Sequence, residues 1–156
     1  MSSQPSRVNG PAVVGGPPSA APCYIPYVAP RQRFAFRYAL PLLPLFWLLG
    51  MGPASSSLRL DDITLRVRMG PWFRCSVPRT AIRHAVHAPD SWWAIGVHTD
   101  FAGHWVVNGS PRGMVQVRLE PPAAGAFFGI PIRVRWLSLG LEDPDGFLAA
   151  LAAPDG

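Results

Sequence analysis

The chain has 156 residues, 49% of them hydrophobic and 15% charged, with 14 basic against 9 acidic side chains and a formal net charge of +5. That length supports one domain with a proper core, and a second is not expected. All the basic residues are arginine, and the positive surplus allows an acidic lipid, nucleic acid or protein partner without selecting one.

Residues 1–30 are rich in Pro, Gly, Ser and Ala and have no sustained periodicity, so a disordered tail is expected there, followed by one folded domain over 31–153. The one apolar knot in the tail, Cys23-Tyr24-Ile25-Pro26-Tyr27-Val28, is expected to pack back on the domain or else to serve as a short docking peptide. The other cysteine, Cys75, falls on the apolar phase of a strand, where a small buried thiol fits. With no CxxC pair and such different settings for the two thiols, neither a disulfide nor a zinc or redox motif is indicated, and a reducing compartment is expected.

Phe34, Phe36 and Tyr38 alternate with Arg33, Ala35 and Arg37, as a half-buried strand requires. The uncharged run Ala39 to Met51 follows. Spanning a bilayer takes about 20 apolar residues, so this run is too short to cross. Pro41 and Pro44 argue against a regular helix over their span. A signal peptide is disfavoured because the preceding segment is about twice as long as the usual n-region. The segment is expected to be a buried or partner-covered loop, or else a wedge on a membrane surface, with Leu43, Phe46 and Trp47 as its contact residues.

From Ser56 the pattern is β. Leu58 and Leu60 share a phase, Asp61-Asp62 turns the chain, and Ile63, Leu65, Val67 and Met69 are expected inward with Thr64, Arg66 and Arg68 outward. Gly70-Pro71 makes the next turn; Phe73, Cys75 and Val77 repeat the phase until Pro78. A further strand carries Ile82 and Val86, and another carries Trp93, Ile95 and Val97. Thr99 to Gly103 reads as a hairpin loop into Trp105-Val106-Val107, and Asn108 to Gly113 as a dense turn into Met114–Glu120. Pro121-Pro122 breaks the ladder. In the last strand Ile132, Val134 and Trp136 hold one phase while Leu137, Leu139 and Leu141 hold the other, which requires a β-bulge near Trp136-Leu137. Asp143 then suits an N-cap, Pro144 the first helical position and Asp145 the first turn, so a short helix starts there and must dock Phe147, Leu148 and Leu151 on the β-structure.

Six or seven antiparallel strands and one terminal helix make a small barrel or bent double sheet with the helix closing an open end. The hairpin Ser57 to Met69, the step Val77-Pro78-Arg79-Thr80-Ala81-Ile82, Gly96-Val97-His98, the run Gly103 to Ser110 and the ending Leu139 to Leu151 together resemble the bacterial branch of the pleckstrin-homology-like superfold, over about Arg33 to Leu151. The resemblance implies a non-enzymatic module that recruits proteins or lipids, often at a membrane, and hence a cytoplasmic protein that can sit peripherally on the inner face. Phosphoinositide-binding members carry basic residues in the loop after the first strand; here that loop is the uncharged Leu40 to Gly52, so that specificity does not carry over.

The residues offer little for catalysis. His84 and His87 would point to opposite faces of a strand. His98, Asp100 and His104 bracket one hairpin and could form a two-His, one-carboxylate set, which makes a small-molecule or metal-binding protein the alternative reading. Ser110 has no strand-to-helix elbow and reads as a turn serine, the carboxylates sit at turns and caps, and no GxxxxGK[ST] or GxGxxG run offers a phosphate cradle. Neither enzyme activity nor a cofactor is expected. Arg66 and Arg68, Arg74, Arg118, and Arg133 and Arg135 lie on outward strand phases and could form a basic stripe for anionic lipid headgroups or phosphates, or else simply a solvated outer face. Trp92 and Trp105 are not interleaved with them, which disfavours nucleic acid.

Overall fold

The computed structural model describes residues 31–90 and 95–153. The expected disordered tail over 1–30, its apolar knot, Trp92 and Trp93 lie outside the described residues.

β1 (Gln32–Phe34) is followed by a 3-10 turn at Leu40–Leu42 and a short helix, α1 (Leu43–Leu48). No regular helix crosses Pro41 and Pro44 together, but the expected loop contains α1, with Pro44 in its first turn, where the missing N–H costs nothing. The meander β2 (Ser56–Leu60), β3 (Thr64–Met69) and β4 (Phe73–Pro78) is antiparallel throughout. Leu58, Leu60, Leu65, Val67, Met69, Phe73, Cys75 and Val77 are buried, and Arg59, Arg66, Arg68 and Arg74 between them are exposed. Successive side chains on a strand point to opposite faces, so the sequence alternation itself makes one face core and the other arginine. Ile63 departs from its expected inward place: Asp61 Oδ1 accepts from the backbone N–H of both Ile63 and Thr64, which keeps Ile63 in the turn and exposed.

β5 (Ile82–His87), β6 (Gly96–Thr99), β7 (His104–Asn108), β8 (Met114–Phe127) and β9 (Ile130–Gly140) complete, among the described residues, one sheet of nine strands, in the order β1-β2-β3-β4-β8-β9-β7-β6 with β5 on β8. Six or seven strands was an undercount, and the sheet does not close, so it is not a barrel. β8 continues beyond Pro121-Pro122, where the sequence indicated only a break. The prolines cannot donate to a ladder, and the β8–β9 register shifts between Arg118 and Ala123 while the chain runs on. One half of β8 pairs with β5 and the other with β4. Nor is the sheet wholly antiparallel, because β9 inserts between β7 and β8 and thereby lies parallel to β7. The phase switch in β9 is real: Val134 and Leu137 are both buried, and the carbonyl of Gly103 accepts from Arg135 N and Trp136 N together, absorbing the extra residue.

α2 (Pro144–Ala152) starts where expected, with Asp143 Oδ1 accepting from Gly146 N at 2.9 Å. Its Phe147 is fully buried and packs edge-on against Phe34, with Leu148 and Leu151 partly buried on the same core. Its far end is held by Arg79, whose Nη2 donates to the carbonyls of Ala150, Leu151 and Ala153 at 3.3, 3.2 and 3.0 Å. Single bridges from Phe36 to Leu141 and from Tyr38 to Gly109 carry the chain after β1 across to the ends of β9 and β7.

Candidate docking surface

The segment 39–52 is anchored by one buried side chain, Phe46, which packs edge-on against Tyr38 at 5.4 Å. Phe46 is therefore a foundation and not the contact residue expected from sequence, and Leu43 is half-buried. Trp47, expected at the same surface, is 66% exposed, and Leu48 beside it is 84% exposed. Leu40 and Leu45 are also exposed.

The β3–β4 turn meets this segment directly. Trp72 Nε1 donates to the carbonyl of Leu49, and Gly70 is packed on the Gly50 backbone. The β8–β9 turn joins from the other side: Phe128 N donates to the Trp72 carbonyl, and the two rings meet edge-on at 4.4 Å. Three segments distant in sequence thus share one end of the molecule, where Trp47, Leu48, Phe128 and Ile130 reach solvent. Phe128 also adopts φ 51, a left-handed conformation that costs a non-glycine residue about 1 kcal/mol or more. The φ 61 of Phe101, which is 94% exposed at the β6–β7 turn, is comparable.

Charge is distributed unevenly around this apolar end. No Asp or Glu occurs in 31–60, in 63–89 or in 121–141, the stretches that build it. Asp61 and Asp62 sit at the β2–β3 turn, the opposite end of β3, while Glu142, Asp143 and Asp145 follow the far end of β9.

The outward faces of the same strands hold arginines. Arg66 and Arg68 lie on β3 as expected, and each is opposed by another arginine: Arg59 faces Arg66 and Arg74 faces Arg68. Arg133 is one strand beyond Ala124 in the row of Arg59, Arg66 and Ser76. Arg135 is not part of that row; its stem packs over Gly103 and it lines a recess with Phe101, Ile132 and Arg133. Arg118 stacks over Trp136, its guanidinium carbon 5.4 Å from the ring centre. Arg59 was missed in the sequence, although its place between Leu58 and Leu60, one hairpin turn from Arg66, carried the signal.

The hairpin set of His98, Asp100 and His104 is not brought together. His98 Nε2 bonds the carbonyl of Ile95, and His104 Nε2 bonds Ser138 Oγ at 2.9 Å. Asp100 Oδ1 accepts from Ala102 N and His104 N at 2.8 and 3.1 Å, and these backbone donors hold its carboxyl below the usual range. Asp100 is shaping a turn, and each ring nitrogen in use already has a local partner. Among the described residues, no group of three His, Cys, Asp or Glu side chains is placed to hold a metal ion. Ser110 Oγ accepts from Arg112 N within the turn.

No family model, curated protein or solved structure matches the chain. No described helix is long and apolar enough to cross a membrane.

Proposed function

We propose that the protein is a non-enzymatic docking module, of the pleckstrin-homology-like kind its element order resembles, that seats on an anionic membrane surface through the apolar end formed by α1 and the β3–β4 and β8–β9 turns. The observation that carries this reading is the convergence of exposed Trp47, Leu48, Phe128 and Ile130 from separate segments, whose flanking stretches 31–60, 63–89 and 121–141 bear arginine and no carboxylate. Water-exposed apolar clusters of this kind mark contact surfaces. Trp and Leu side chains suit the boundary between headgroups and acyl chains, and each arginine near an acidic leaflet contributes about 1 kcal/mol. The carboxylates at the opposite end would orient the molecule on such a surface.

Flotation with vesicles containing phosphatidylglycerol, beside vesicles of phosphatidylcholine alone, tests this. Binding to the anionic vesicles that falls with salt, and falls at least about tenfold in Trp47→Ala/Leu48→Glu, is the expected result. No flotation at low salt removes the reading.

A further inference from the structure

The outward face of the β2–β3–β4 meander, which bilayer seating uses only as general positive charge, carries a more specific arrangement. Arg59 and Arg66 are directly opposed across β2 and β3, and Arg68 and Arg74 across β3 and β4. Directly opposed like charges destabilise a sheet. Among the described residues no carboxylate forms an ion pair with them, although Glu142 lines a neighbouring recess with Arg59 and Arg68: Arg68 Nε donates to the Gly70 carbonyl at 3.3 Å, and Arg59, Arg66 and Arg74 have no hydrogen-bond or ion-pair partner. All of them line one open groove of about 510 Å³, together with Ser57 and Ser76. Ala124 and Ala126, the residues facing Ser76 and Arg74 on β8, leave its floor flat and apolar.

We infer that this groove binds a ligand carrying two phosphoryl groups, one held between Arg59 and Arg66 and the other between Arg68 and Arg74. The stoichiometry of charge favours phosphoryl over carboxylate. Each opposed pair roots two arginine side chains at facing positions on the lining of one groove, and a phosphoryl group has the oxygens and the double charge to engage two guanidinium forks. A carboxylate has one charge and two oxygens and would leave one fork unneutralised. Arg66 and Arg68 are two residues apart on β3 and their partners lie on opposite neighbouring strands, so an offset of about 7 Å along the strand and about 4.8 Å across it sets the pair centres about 8 Å from each other. The groove has the volume of a small-molecule site and lacks an aromatic platform for a base, so a compact bisphosphorylated molecule fits better than a nucleic-acid strand. The same chemistry occurs in free bisphosphates and in lipid headgroups. The inference does not depend on the bilayer reading, since Trp47 and Leu48 are not in the groove.

The test is calorimetric titration of the full chain with inorganic tripolyphosphate, inorganic phosphate and poly-L-glutamate at near-physiological salt. Tripolyphosphate is expected to bind at least about tenfold more tightly than phosphate, because it engages both arginine pairs. Arg66→Ala/Arg74→Ala should lower that affinity about thirtyfold or more, and Arg66→Lys/Arg74→Lys, which keeps the charge but removes the forks, at least about fivefold. Ala124→Leu, which fills the floor without changing charge, should lower it as well. Lysine variants that bind as well as the parent, or poly-L-glutamate binding as tightly per charge, would overturn the inference in favour of a diffuse basic face. Vesicles bearing a bisphosphorylated inositol headgroup distinguish the sources: binding lost in Arg66→Ala/Arg74→Ala but retained in Trp47→Ala/Leu48→Glu assigns the lipid headgroup to the groove, and tripolyphosphate binding without vesicle binding assigns a soluble ligand.

Discussion

Gly70 lies against Gly50 so closely that a side-chain carbon on Gly70 would overlap the Gly50 carbonyl oxygen. Gly70 also holds φ 57, in the left-handed region. Two requirements therefore fall on one position: a backbone shape that glycine adopts without penalty, and room for the loop after α1 to rest on the β3–β4 turn. Gly70→Ala is expected to cost about 2 kcal/mol or more, from left-handed strain and the clash together, read as a lower urea midpoint. Because the Trp72–Leu49 hydrogen bond depends on the same packing, the variant should also bind anionic vesicles more weakly than its stability loss explains.

Arg79 holds the C-terminal carbonyls of α2 from a 3-10 turn between β4 and β5. A helix end has carbonyls without intrahelical donors, and a cation there also meets the favourable end of the dipole. Arg79→Met, which keeps the aliphatic stem, should destabilise the fold by about 1–2 kcal/mol in equilibrium urea unfolding. Amide exchange should quicken first in the last turn of α2.

Asn108 is fully buried at the end of β7, and its Oδ1 accepts from Gly96 N at 3.0 Å. Removing that acceptor leaves a buried N–H without its partner, so Asn108→Ala is expected to cost about 1–3 kcal/mol. In a heteronuclear NMR spectrum, the Gly96 amide should show the largest loss of exchange protection.

The thiol of Cys75 is buried, and burial pushes its pKa up to about 12. An unfolded thiol ionises near about 8.5, so in alkali the unfolded chain releases a proton that the folded chain keeps. The stability linked to this group is complete below about pH 8.5 and declines as pH rises toward the folded value. Tyr38, also raised by burial, contributes in the same direction. Comparing the parent with Cys75→Ala isolates the cysteine: between about pH 9 and 11 the parent should lose stability more steeply, by up to about 1.4 kcal/mol per pH unit. A Cys23→Ser protein should react with an aromatic disulfide reagent only when denatured.

The strands of the β2–β3–β4 meander and the start of α2 were legible from the sequence, as was the bulge in β9. In each case a local rule decides: period-two spacing, a turn pair, a capping aspartate, a phase conflict within one strand. Pro121-Pro122 was legible as a break in pairing, but whether the chain would turn there or continue with a shifted register depends on β4, β5 and β9, all remote in sequence. The length of β8 and its division between β5 and β4 were not legible at that point. The candidate site divides in the same way. Arg66 and Arg68 could be placed outward from alternation alone, whereas their opposition to Arg59 and Arg74 required the pairing register.

By itself the sequence determined which side chains face the core along each strand, that the segment 39–52 is uncharged and too short to span a bilayer, and that acidic residues are missing from three long stretches. Only the tertiary structure decided that Phe46 turns inward while Trp47 and Leu48 turn outward, that three turns meet at one end, and that the arginines stand in facing pairs. Periodicity acts through the geometry of one chain segment with itself, so it can be read in order. Which segments become neighbours depends on the long-range packing that buries Phe46, Phe73 and Phe147, and no local pattern encodes it.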